Sequence, residues 1–286
     1  MNAVAPAARV PRTQPTVAAS AARVFDLSLG QMLWSRRSVF LAILLGGPVL
    51  LAFVVRVLSA ATRFGPMQIN GAHVGGAAVF GMMIWLLYIR FIVPVLGVFY
   101  GTSLIADEVD DRTITYLFTR PIPRRAVLLG KYFAYVACTV LLVLPSVMLV
   151  FFLIVPTGGG SIGEAFPSLM KDFGMLAVGL LAYGAVFAFA GARLKRPLVM
   201  GLVFAFGWEP GVMLLPGYLK RLTVAYYLQA LVTHQMPQDS AVSMLMQVFH
   251  EVPSVLVSLV SLAIIIAVAL WAAGRAVERR EYVLDQ

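Results

Sequence analysis

Residues 104–131 read LIADEVDDRTITYLFTRPIPRRAVLLGK. The stretch opens with acids, Asp107, Glu108, Asp110 and Asp111, and closes with bases, Arg120, Arg124, Arg125 and Lys131. Long apolar runs stand on both sides of it. Read as a helix over about 105–119, it carries its acids in the first turns, where the helix dipole favours negative charge. Ile105, Val109, Tyr116 and Leu117 can then share a broad apolar face. Arg120-Pro121 ends the helix, because a residue before proline is biased away from the α conformation. Such a helix can rest on lipid or fit a groove on a partner. Four acids are poorly placed against an anionic leaflet, which favours the partner.

The rest of the chain explains why a polar segment stands out. Of 286 residues, 60% are hydrophobic and only 12% charged, with mean hydropathy +0.89. Soluble domains carry roughly 25% charge. The composition therefore predicts a membrane protein. The apolar runs are continuous rather than alternating, so the spans are expected to be helices and not barrel strands. Six are expected, at about 39–58, 80–104, 127–155, 173–194, 197–217 and 253–274. The net charge of +9 does not suggest nucleic acid, because the basic residues flank the apolar runs. One side collects Arg9, Arg12, Arg23, Arg36 and Arg37, the bases of 112–131, Arg193, Lys195, Arg196, and Arg275, Arg279 and Arg280. The other side has far fewer. Lys and Arg favour the cytoplasmic side, so both termini are expected there.

Outside the spans, residues 1–22 are rich in Ala and Pro and are expected to be a disordered cytoplasmic tail. Residues 23–37 place Phe25, Leu29, Met32 and Leu33 at helical spacing, as in a helix lying in the membrane interface. The whole of 23–286 reads as a single transmembrane domain. Residues 218–252, on the far side, contain two strings with helical apolar spacing and are expected to hold short interfacial helices.

Several chemistries lack their signatures. No G-x-x-x-x-G-K-[ST] cradle for nucleoside phosphates occurs, so no ATP hydrolysis is expected of this chain. There is no G-x-S-x-G elbow and no H-E-x-x-H pair. The single cysteine, Cys138, cannot form an internal disulfide. His73, His234 and His250 are widely spaced, and no metal site is expected.

The segment resembles the permease subunit of type-2 ATP-binding-cassette (ABC) transporters. The resemblance rests on Glu108, Thr113-Ile114, Tyr116-Leu117, Arg120-Pro121-Ile122-Pro123-Arg124 and Gly130-Lys131, followed by an apolar run. It departs from the family pattern at Arg112, where the family commonly has glycine. The resemblance implies an all-α, six-span fold with an N-terminal interfacial helix and a cytoplasmic coupling helix between spans two and three. The residues that would meet a separate ATPase subunit are Asp107, Glu108, Asp111, Arg112, Thr113, Tyr116, Leu117, Arg120 and Pro121. ATP and Mg would be held by that partner, and no cofactor by this chain. The resemblance further implies a second permease copy or a homologous permease, an export direction, and a bacterial plasma (inner) membrane location. The rival is an ATPase-independent secondary transporter or channel, which predicts an inverted repeat with broken helices.

Two ionisable residues lie deep in the apolar runs, Arg90 and Glu209. A charge at the bilayer centre costs about 3 kcal/mol or more, so each is a functional candidate. Arg90 lies 14 residues before Leu104, and Glu209 12 residues after Pro197. At 1.5 Å per residue these are similar depths, about 21 and 18 Å. A direct pair is one expectation. The others are snorkelling of Arg90 to headgroups and opening of the chain to water at Pro210-Gly211.

Overall fold

A computed structural model of the chain describes residues 16–34, 36–62, 67–69, 72–105, 124–157, 160–214, 218–232 and 253–279. The described part is almost wholly helical, apart from a short antiparallel hairpin that pairs β1 (Met67–Ile69) with β2 (Ala72–Val74). Helix α1 (Val17–Leu33) starts where Thr16 caps it, its Oγ accepting from the Ala19 N–H at 3.3 Å. The helix thus takes in residues 17–22, assigned above to a disordered tail, because a Thr cap before an Ala-rich run is a strong helix start. Helix α2 (Arg36–Thr62) follows.

Among the described residues, five helices are long and apolar enough to cross a membrane: Val39–Ala61 within α2, α3 (Gly76–Ile105), α4 (Arg124–Ile154), α5 (Ile162–Arg193) and α8 (Val255–Arg279). A shorter apolar helix, α6, covers Pro197–Val212. Between α6 and α8 lie a 3₁₀ turn (Tyr218–Leu222) and the short α7 (Val224–Gln229). The chain is therefore a multi-pass, helical membrane protein. Helix α5 begins eleven residues before the expected 173. Glu164, Ser168, Lys171 and Asp172 lower its hydropathy there, yet Leu169, Asp172, Met175 and Leu176 recur at helical spacing on a buried face.

Helix α5 is the central post. It packs against α3, α4 and α8, and small residues let the backbones approach. A Cβ on Gly97 would come within 2.7 Å of Tyr183 Cβ, and one on Gly101 within 2.9 Å of Phe187 Cβ. These two glycines form a GxxxG on α3, the spacing by which membrane helices pack closely. From α5, Gly184 faces the Tyr135 ring and Gly191 faces the Thr102 carbonyl, each too closely for any side chain. Helix α4 is tied to α5 by Tyr132 and Tyr135, whose hydroxyls donate to the Leu181 and Leu180 carbonyls at 2.8 and 3.1 Å. Ser146 donates to the Leu45 carbonyl of α2 at 3.1 Å, so Tyr88 of α3 is the donor in its 2.7 Å bond to Ser146. By contrast α2 and α8 turn most of their apolar residues outward, among them Ile43, Leu50, Phe53, Leu256, Ile264 and Trp271. Without water to avoid, such faces suit lipid.

Two helices contain widened, π-type turns: Ile84–Ile92 and Gly97–Gly101 in α3, and Phe204–Trp208 in α6. Proline explains two of them. It lacks an N–H and its ring clashes with the carbonyl four residues back. For Pro94 that carbonyl belongs to Arg90, and for Pro210 to Phe206, both within a wide turn. Local widening relieves the clash without breaking the helix.

Candidate functional site

The wide turns place both deep charges. Arg90 sits near the end of the first wide turn of α3, and Glu209 follows directly on that of α6. Together with Tyr183 of α5 they line one cavity, whose walls include Trp85, Ala205 and Ala225. The similar depths read from the sequence thus correspond to a shared chamber. No ion pair joins Arg90 to Glu209 among the described residues. Arg90 instead lies over the Trp85 ring, 5.2 Å from its centroid, a cation–π arrangement.

Glu209 is 2% exposed, so the opening to water at Pro210-Gly211 is not what the structure shows. The helix continues through Glu209–Leu214. One carboxylate oxygen accepts the Tyr183 hydroxyl, and the other accepts the Val224 N–H at 3.0 Å. Val224 is the first residue of α7, and Thr223 caps the same helix, its Oγ accepting from Tyr226 N–H at 3.4 Å. The first N–H groups of any helix lack internal partners. Glu209 supplies one from a different helix and thereby pins α7 to the bundle. Val224, Ala225, Tyr226 and Leu228 are buried as a result, with Leu228 against Gly179 of α5.

The sequence singled out neither Tyr183 nor Asp172. Tyr183 is one of ten tyrosines in the chain, and hydropathy does not distinguish it. Asp172, fully buried on α5, stands one residue before the expected start of its span at 173. Among the described residues no cluster of His, Cys, Asp or Glu could hold a metal.

The other candidate site lies outside the described residues. Asp107, Glu108, Asp111, Arg112, Thr113, Tyr116, Leu117, Arg120 and Pro121 all fall there. Its two attachment points are described. On one side, Thr102, Leu104 and Ile105 are buried, with Thr102 against Gly191. On the other, Arg124 donates to the Glu278 carbonyl at 3.3 Å, and Arg125 grips the Glu278 carboxylate with two nitrogens at 2.5 and 2.7 Å. A cation at the end of α8 complements the exposed carbonyls there. Close by, α1 presses on α4 at Gly130, where a Cβ would stand 2.6 Å from the Ala21 carbonyl oxygen. Residues 106–123 are therefore strung between ends fixed to α5, α8 and, through α4, α1.

A family model described as ABC-2 family transporter protein matches residues 16–276. No curated protein matches the sequence.

Proposed function

We propose, from the premise that this chain belongs to the ABC-2 family of transporter proteins, that it is the permease of an ATP-driven exporter and that residues 106–123 couple it to a separate ATPase. Membership makes it a membrane permease subunit of an ABC transporter. The coupling assignment is carried by one observation: the polar segment joins two helix ends that are packed into the rest of the bundle. A push on that segment would be delivered to α3 and α5 at Thr102–Gly191, and to α8 at Arg125–Glu278. Read as a helix, the segment would offer Tyr116 and Leu117 on an apolar face and the acids at 107, 108 and 111 on the opposite one, a pattern that suits a groove on a partner. ATP and Mg would reside on the partner.

In this reading α6 completes a sixth crossing. It is shorter than the other five, and α7, pinned by Glu209, packs beside its end. Six crossings put both termini on one side, and the Lys and Arg distribution makes that side the cytoplasm. Two such permeases, alike or homologous, would frame the pathway in a bacterial plasma membrane. The test is co-purification. Glu108→Arg, or Tyr116→Ala with Leu117→Ala, should release the ATPase in a pull-down while membrane insertion is unchanged. Undiminished recovery of the ATPase with both variants would overturn the coupling assignment.

A further inference from the structure

Arg90 is a cation whose edge the described chain leaves unmet. The face of its guanidinium lies on Trp85. Glu209, the one acid among the described residues that lines the cavity with it, lies within electrostatic reach of Arg90 but accepts its hydrogen bonds from the Tyr183 hydroxyl and the Val224 N–H. Arg90 makes no hydrogen bond or ion pair among the described residues, although a guanidinium carries five N–H donors in a planar fork. Inside an apolar layer such a group calls for an oxygen from elsewhere. The cavity is about 20 Å³, enough for one oxygen-sized group but not for a whole organic molecule. Any larger ligand must keep its body outside. Beside the site the α3 and α6 surfaces are apolar and open: Leu86, Phe91 and Phe206 are each more than 40% exposed, and the Phe91 and Phe206 rings lie 5.9 Å apart.

We infer that Arg90, backed by Trp85, binds one oxygen of the phosphate or carboxylate head of an amphiphile whose alkyl chain lies along Phe91 and Phe206. A planar fork matches an oxyanion, and cation–π contact on its face leaves the fork free to do so. The inference goes beyond ATPase coupling and does not depend on it. Its ligand could reach the site as a resident membrane lipid or as cargo, and the chemistry is the same.

The test uses the full chain in neutral dodecyl maltoside, with dodecyl phosphate as the probe. Binding is read by native mass spectrometry and tryptophan fluorescence. Arg90→Gln should weaken dodecyl phosphate at least tenfold, and Arg90→Lys should fall between, keeping the charge but losing the fork. Dodecyltrimethylammonium should show no dependence on Arg90, and inorganic phosphate should compete poorly for want of a chain. Equal affinity in wild type and Arg90→Gln overturns the site. If Arg90→Gln fails to fold, the comparison of wild type with Arg90→Lys decides, and equal affinity there overturns it too. Competition by inorganic phosphate at the potency of dodecyl phosphate overturns the amphiphile. Two further arms separate the sources. Phosphatidylglycerol held by wild type in nanodiscs but shed by Arg90→Lys marks a resident lipid. Dodecyl phosphate that raises the ATPase rate of the assembled complex only when Arg90 is present marks cargo.

Discussion

The bundle is fastened in opposite ways at its two ends. At the Glu209 end, a fully buried carboxylate ties α6 to α5 and α7 through an O–H and an N–H. At the end that carries residues 106–123, the polar ties described are the Arg124 bond to the Glu278 carbonyl and the Arg125–Glu278 pair, with side chains 49% and 40% exposed. Close packing at Gly191 and Gly130 does the rest there. Buried polar links are costly to break, because each released group is left without water. Exposed pairs are worth about 0–1 kcal/mol, and screening by salt lowers that further. One end is thus built to hold a single arrangement, while the other is held by shape and can slide once its partners move.

The largest expected effect breaks the shape-held end. Gly191→Leu drives a side chain into the Thr102 backbone, which cannot yield as a flexible side chain would. Overpacking of this kind costs about 1–3 kcal/mol, more when backbone must move. The variant should lose most of its monodisperse material in detergent size-exclusion chromatography. A wild-type profile with an unchanged melting temperature would show that α3 and α5 are not in backbone contact there.

Comparable in size is the effect on the buried link. Glu209→Ala leaves the Tyr183 hydroxyl and the Val224 N–H without their acceptor, at about 1–3 kcal/mol for each group stranded. Tyr183→Phe removes one of the two bonds and should cost less than Glu209→Ala. In a double-mutant cycle the two changes should be strongly non-additive, as expected of side chains in contact. Hydrogen exchange should also rise selectively at Val224–Gln229 in Glu209→Ala. Additive effects, or exchange unchanged in α7, would remove Glu209 as the anchor of that helix.

The smallest effect belongs to the exposed pair. Arg125→Ala and Glu278→Ala should each leave the melting temperature almost unchanged, with a coupling that falls as salt rises. A large coupling that salt does not weaken would erase the contrast between the ends.

Much of the plan is legible in the sequence. The runs in α2, α3, α4 and α8 are apolar and long, so hydropathy alone places them. The depth of Arg90 and Glu209 followed from residue counting, because helical rise is nearly constant. What hydropathy cannot see is pattern finer than an average. It hides the early start of α5, where Lys171 and Asp172 dilute a helical face. It hides Gly97 and Gly101, whose value lies in the missing Cβ. It leaves Tyr183 undistinguished, since a hydroxyl has meaning only beside the carboxylate it serves. Residues 106–123 are legible only as charge order and proline placement, and the structure describes only the helix ends on either side of them.

The wide turns have one consequence for how this chain tolerates change in length. A regular helix advances about 100° per residue, so a deletion normally re-aims everything downstream. A wide turn carries a surplus residue. Removing one residue from Phe204–Trp208 would let an ordinary turn form and leave Glu209 facing Tyr183 at nearly the same phase, but would leave Pro210 facing a carbonyl it cannot clear. A second deletion, with no surplus left to absorb it, would swing Glu209 about 100° away from Tyr183. The wide turn thus gives α6 a tolerance of one residue in length, and the acid keeps its aim only within that tolerance.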